Sequence, residues 1–224
     1  ANRKIESIFI GGGTPSLFSA NAYTRILDHL EKRSALEKDL EITLEANPGT
    51  AEATKFRGFR EAGINRLSIG IQSFAEKHLR VLGRVHDSNQ AKAAIEIAVQ
   101  SGFSNFNVDL MHGLPDQTEA DAMNDLETAI AFSPSHLSWY QLTIEPNTEF
   151  FSKPPRLPDD DVLSDIQLTG ERLLAAGGYG HYEVSAFSKP GCQSKHNLNY
   201  WKFGDYIGIG AGAHGKLTLP DNSI

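Results

Sequence analysis

The chain has 224 residues, of which 40% are hydrophobic and 22% charged, an ordinary globular mixture with enough apolar material for one sizeable core. Its formal net charge of -7 comes from scattered acidic residues, which leaves no basic stripe for nucleic acid or an anionic membrane surface. No apolar run approaches the ~20 residues of a membrane helix, and no signal peptide is visible, so the expectation is a cytoplasmic protein without an integral membrane segment. Cys192 is the single cysteine. It excludes an internal disulfide framework, and alone it holds neither an iron–sulfur cluster nor a thiolate zinc site.

In chain order, five apolar or β-branched runs predict strands at Ser7–Ile10, Glu41–Leu44, Arg66–Ile71, Phe106–Leu110 and Leu137–Thr143. Several have few polar breaks, as expected of parallel strands covered on both faces. Helical spacing lies between them. Tyr23, Ile26, Leu27 and Leu30 form one apolar face behind an N-cap at Ser19, and Ala91, Ala94, Ile95, Ala98 and Val99 form another opened by Ser88. Met123, Leu126, Ala129 and Ile130 follow Thr118, and a longer face from Val162 through Leu174 stops at Gly177–Gly178. This alternation is the signature of right-handed parallel crossovers, which close as a (β/α) barrel or an open doubly wound sheet. A partial barrel is the better expectation, because every strand end carries polar residues and only a barrel brings all of them to one mouth. Pro154, Pro155 and Pro158 mark the one clear break, dividing a strand–helix core (1–153) from a final helix and closing strands (154–224).

The strand ends carry the chemistry. Gly11, Gly12 and Gly13, followed by Thr14 and Pro15, let backbone approach a ligand and offer amides and carbonyls to the ends of a zwitterion; a plain tight turn is the alternative. Glu45 ends the second strand, where its carboxylate suits ribose hydroxyls or an amino group, or caps a loop. Gln72 ends the third. Arg84, between Gly83 and His86, suits carboxylate recognition, although a surface ion pair is the commoner fate of an arginine. Asp109 sits among apolar residues of a central strand, which is costly unless it is paired or binds a ligand. In Trp139-Tyr140-Gln141-Leu142-Thr143 the aromatics fill core or flank a planar ring, with core the expectation for Trp139.

In that order, the runs Ile8-Phe9-Ile10-Gly11-Gly12-Gly13-Thr14-Pro15-Ser16, Glu41-Ile42-Thr43-Leu44-Glu45-Ala46-Asn47-Pro48, Asn65 to Phe74 and Asn107 to Pro115 resemble the oxygen-independent coproporphyrinogen III oxidase-like family of radical S-adenosylmethionine (SAM) proteins. His196-Asn197-Leu198-Asn199-Tyr200-Trp201 is similar to the HNxxYW signature of its haem-chaperone branch. The resemblance implies a partial TIM-type barrel of the radical SAM class, lacking here its first strand, its cluster loop and its C-terminal domain. By position it assigns Gly11, Gly12, Gly13, Thr14 and Glu45 to SAM, matches Gln72, Arg84 and Asp109 to positions that contact a second SAM in the oxidases, and brings Thr143 and His214 near the same cofactor region. It places haem on His196, Asn197, Tyr200 and Trp201, where the residues alone favour a capping histidine and a core tryptophan. The implied [4Fe–4S] cluster has its ligands outside this chain, which by itself lacks the electron source for reductive SAM cleavage. The implied function is haem binding and delivery to acceptor haemoproteins; the alternative is oxidative decarboxylation of coproporphyrinogen III to protoporphyrinogen IX. The expected partners are haem or a porphyrinogen and haem-acceptor proteins, with no nucleic acid.

Overall fold

A computed structural model describes residues 3–49 and 53–219. The five expected strands are present as β1 (Ile5–Ile10), β2 (Leu36–Ala46), β3 (Arg66–Gln72), β4 (Phe106–His112) and β5 (His136–Gln141), paired in parallel and in sequence order. Two short strands, β6 (Gly180–Glu183) and β7 (Ala186–Ser188), add antiparallel beyond β5 and give the order β1-β2-β3-β4-β5-β7-β6. The seven strands form a curled half-barrel sheet, the partial barrel expected from the polar strand ends.

Eight helices of the described residues connect or follow the strands: α1 (Ala20–Arg33), α2 (Phe56–Glu61), α3 (Glu76–Val81), α4 (Ser88–Gln100), α5 (Glu119–Ala131), α6 (Glu149–Ser152), α7 (Asp160–Ala176) and α8 (Lys195–Trp201). Ser19 caps α1 by accepting from the Ala22 amide, and Thr118 forms a capping box with Asp121 on α5. Asp87, not Ser88, caps α4: its carboxylate accepts from the Gln90 amide while the Gln90 side chain returns to the Asp87 amide. The longest helix, α7, ends at Gly177 as expected. None of the described helices is long and apolar enough to cross a membrane.

Strand periodicity of two sorts the sheet into two chemically opposite faces. Ile8, Ile10, Ile42, Leu44, Leu67, Ile69, Ile71, Val108, Leu110, Leu137 and Trp139 point to the convex side. There they pack on Tyr23 of α1, Phe56 and Phe59 of α2, Ala94 and Ile95 of α4, Leu126 of α5 and Ile166 and Leu174 of α7. Each such large side chain stabilises the fold by roughly 1.5–3 kcal/mol through burial. One contact is unusually close. A Cβ placed on Gly170 in α7 would stand 2.0 Å from the Trp139 ring, so the helix seats on the sheet only because that residue has no side chain. Trp139 is therefore core.

The concave face carries the other set: Glu41, Thr43 and Glu45 from β2, Arg66 and Ser68 from β3, Asn107 and Asp109 from β4, and His136, Ser138 and Tyr140 from β5. Few of these are solvated. Arg66 is 2% exposed, Asn107 2% and His136 1%. The strands are covered on both sides as expected, yet the inner cover is polar.

The region after α7 departs most from the sequence reading. Beyond the short β6–β7 hairpin, the chain runs back beneath the concave face as α8, capped by Ser194. Helix α8 bridges the two edges of the half-barrel. On one side the His196 ring stacks on Phe9 of β1 at 4.4 Å and Lys195 pairs with Asp39 of β2. On the other the Trp201 indole N–H donates to Glu183 of β6 at 3.1 Å. Of the terminal run from Leu219 onward, residues 220–224 lie outside the described residues.

Candidate cofactor site

The C-terminal ends of β1 to β5 open onto one cleft of about 220 Å³, lined by Gly12, Gly13, Pro15, Glu45, Ala46, Asn47, Ser68, Gly70, Gln72, Arg84, Asp109 and Tyr140. The turn after β1 forms its first wall. Gly12 adopts φ +94°, and its amide donates to the Glu45 carboxylate at 3.1 Å. A Cβ on Gly11 would come 2.8 Å from the Phe9 ring and 2.9 Å from the Glu45 carboxylate, so Gly11 is fixed by close approach. Cβ atoms on Gly12 and Gly13 would meet no protein atom within 4 Å. These two positions present bare backbone to the cleft, the cradle that a ligand fills.

Glu45 and Asp109 supply two carboxylates. Burial raises the Glu45 pKa, the Gly12 amide opposes that rise, and the charge of Asp109 adds to it. Burial likewise raises Asp109, against hydrogen bonds from Asn107, Ser68 and Ser138 and the nearby positive charge of Arg66. Asn107 Nδ2 reaches Asp109 Oδ1 at 2.7 Å, and Ser68 Oγ donates to Asp109 Oδ2 at 3.1 Å. Two carboxylates raised chiefly by burial are poised for a cation, which would favour the ionised form of both.

Gln72 reaches the cleft through a strained backbone. Its φ is +71°, at an irregularity in the β3–β4 register, a conformation costing a non-glycine residue roughly 1–3 kcal/mol. The turn is held from below by Asp125 of α5, whose carboxylate accepts from Ser73 Oγ at 2.6 Å and the Phe74 amide at 2.7 Å. Burial raises Asp125 to about 6. From the side, Tyr140 donates to Gln72 Oε1 at 2.8 Å, and burial pushes that phenol up to about 12, so it stays a donor. Arg84 stands exposed at the rim between α3 and α4.

Gly12, Gly13, Glu45, Gln72, Arg84 and Asp109 are thus gathered into one cleft, with Gly11 directly behind it. Thr14 is beside the cleft, ahead of a short 3-10 turn (Pro15–Leu17). Thr143 lies outside: β5 stops at Gln141, and Thr143 bonds to Glu145 in a neighbouring depression with Val81, Leu142 and Phe150. His214 does not line the cleft either; it sits in an exposed glycine-rich loop closed by a Tyr206–Lys216 bridge. The His196–Trp201 motif is helix α8. His196 lies between the rings of Phe9 and Tyr200, and burial lowers its pKa, which keeps the imidazole neutral. Trp201 is 52% exposed, contrary to a core role, and the helix cap is Ser194 rather than His196.

Sequence reasoning missed Asn47, Ser68 and Gly70 as lining residues and left Tyr140 open between core and a place beside a ring. For the strand members the signal was there: Ser68 and Gly70 lie four and two residues before Gln72 on the same face, and Tyr140 lies level with Met111 of β4, two residues beyond Asp109.

The donor set fits SAM, whose ammonium and sulfonium are cations, whose carboxylate suits Arg84, and whose ribose and adenine match amides and carboxylates. A cluster is different. Cys192 is the only cysteine, short of the thiolates a cluster needs, and the described residues gather no group of three potential metal ligands.

Residues 1–129 match the Radical SAM superfamily model. The chain is 59% identical over 222 residues to the protein named heme chaperone HemW of Escherichia coli (strain K12), covering 99% of this chain and 59% of that protein. It is 58% identical to the Haemophilus influenzae protein of the same name, covering 99% and 58%. The chain therefore spans about 59% of the length of these curated relatives. Among solved structures, coproporphyrinogen III oxidase (HemN) from Escherichia coli has the same fold, with a TM-score of 0.80 at 24% identity over 95% of this chain and 52% of that one. The archaeal Elp3 of Methanocaldococcus infernus follows at 0.61 and 16%, over 73% and 44%. With its partial barrel, its strand-end cleft and a family match over more than half its length, the chain belongs to the radical SAM superfamily and is similar within it to the heme chaperones HemW.

Proposed function

We propose that this chain is the SAM-binding barrel of a haem chaperone, which binds haem and passes it to acceptor haemoproteins. The observation that carries the cofactor assignment is the convergence of Gly12, Gly13, Glu45, Gln72, Arg84 and Asp109 on one cleft, from four strands and the turn between α3 and α4. Gly12 and Gly13 would hold the methionyl end of SAM by backbone, Arg84 would pair with its carboxylate, and Glu45, Gln72 and Asp109 would take its amino and hydroxyl groups. SAM bound at a cluster supplies radical chemistry in this superfamily; the residues here bind and orient it. The cluster ligands belong to protein outside this chain.

The haem assignment rests on the 59% identity to a protein named heme chaperone and on the character of α8. A neutral imidazole at His196, an adjoining Tyr200 and a half-exposed Trp201 suit an iron ligand with porphyrin-stacking neighbours. Two measurements on the full-length protein, its cluster rebuilt anaerobically, test the reading. Haem titration of the wild type and His196→Ala should show weaker binding and an altered Soret band in the variant; identical titrations would remove His196 from the site. With SAM, a reductant and coproporphyrinogen III, no protoporphyrinogen IX should form. Clear turnover would replace the chaperone by the oxidase.

A further inference from the structure

The concave face holds a buried chain of hydrogen bonds whose direction is forced at every step. Asp109, as a carboxylate, only accepts, so the side of Asn107 facing it at 2.7 Å is the amide nitrogen, which also reaches Ser68 Oγ at 2.8 Å. Asn107 Oδ1 therefore faces His136 Nδ1 at 2.7 Å, and that nitrogen carries a proton. Burial and the nearby Arg66 charge hold the imidazole pKa well below its usual value, so the ring is neutral and Nε2 accepts. The Tyr182 hydroxyl, 2.6 Å from Nε2, donates to it and in turn accepts from the Ser194 amide at 3.2 Å. Ser194 is the N-cap of α8. The chain thus starts at the cap of the helix carrying the His196 motif, crosses from β6 through β5 and β4, and ends on the carboxylate that lines the cleft. None of Tyr182, His136 and Asn107 is among the residues lining it.

We propose that Tyr182, His136 and Asn107 are positioning residues that set the Asp109 carboxylate for its ligand, with the cap of α8 as their anchor. This rests on the reading of the cleft as a SAM site. A buried Asp109 free to rotate would meet a cationic ligand with one oxygen misdirected, whereas the chain fixes both oxygens, one by Asn107 and one by Ser68. A second contact runs in parallel from the same helix: His196 stacks on Phe9, whose ring lies directly beneath Gly11. Helix α8 gives the cleft no lining residue and reaches it only through these two sets of contacts, by which its seating bears on the SAM-binding groups.

Equilibrium dialysis of labelled SAM against the full-length protein with its cluster tests this in Tyr182→Phe, Asp109→Asn and the double variant. Loss of one oriented hydrogen bond should weaken SAM binding about fivefold in Tyr182→Phe. The same substitution should have no further effect in the Asp109→Asn background, because its influence passes through that carboxylate. Histidine 15N NMR of the wild type should show His136 protonated on Nδ1, a readout that packing alone does not dictate. Unchanged affinity in Tyr182→Phe, an equal loss in both backgrounds, or an Nε2-protonated His136 would overturn the chain. If Glu45→Ala and Asp109→Asn both bind SAM as the wild type does, the cofactor assignment falls and the proposal falls with it.

Discussion

The two faces of one sheet have divided the work of the molecule. On the convex face, side chains touch helices through carbon, and Trp139, Leu44 and Leu110 are interchangeable in kind if not in shape. On the concave face, nearly every side chain carries a charge or a hydrogen-bonding group, and most are buried all the same. A polar interior contributes little net stability, because its hydrogen bonds replace bonds to water, but it severely penalises any arrangement that leaves a group unpaired. The convex face therefore fixes the fold, and the concave face fixes the positions of a few atoms at the mouth.

Substitutions on the two faces should separate along that line. The largest stability effect is expected at Gly170→Val, which forces side-chain atoms into the Trp139 ring and should cost about 3 kcal/mol or more, read as a lowered Tm. Leu110→Ala, on the same side, should cost roughly 2–5 kcal/mol through the lost burial and the cavity left behind. Asp109→Asn should do the opposite. Its Tm should hold within a few degrees while SAM affinity falls by about tenfold, the cost of a lost charge-assisted contact. Comparable Tm losses for Asp109→Asn and Leu110→Ala would erase the distinction between the faces.

A smaller effect concerns pH. Burial lifts the folded pKa of Asp125 to about 6, above the ordinary 3.8, against the hydrogen bonds from Ser73 and the Phe74 amide. The folded state holds that proton more tightly than the unfolded chain does. Its stabilising contribution is therefore complete below the unfolded value and is lost as pH rises through about 6. Asp125→Asn removes this dependence, so the Tm of the wild type relative to the variant should fall as pH is raised from 4 to 7. A constant difference across that range would show that Asp125 does not titrate there. The smallest effect is expected at the exposed Lys4–Glu37 pair at 3.4 Å, whose removal by Lys4→Ala should change stability by less than about 1 kcal/mol.

Much of this was legible in the residues. The parallel strands, the caps at Ser19 and Thr118 and the stop at Gly177 follow from local chemistry that tertiary contacts did not override. The cleft was legible because polar residues at strand tips have few reasons to be there. What escaped was held by long-range geometry. Tyr182, His136 and Glu41 are ordinary in sequence, and nothing local reveals that the chain after β7 returns beneath the sheet to meet them. Gly170 reads as a defect in a helix until Trp139 is placed against it. Thr143 looked like a strand-tip residue because the apolar run continues past Gln141, whereas the strand itself ends there. The capping of α4 by Asp87 rather than Ser88 is a one-residue ambiguity between two good caps, decided by Gln90 completing the box.

The most direct test of the account is a crystal structure of the full-length protein with SAM bound. The methionyl end should lie on the Gly12–Gly13 backbone, with Glu45 and Asp109 within hydrogen-bonding distance of the ligand and α8 seated below. SAM bound elsewhere, with those two carboxylates untouched, would contradict it.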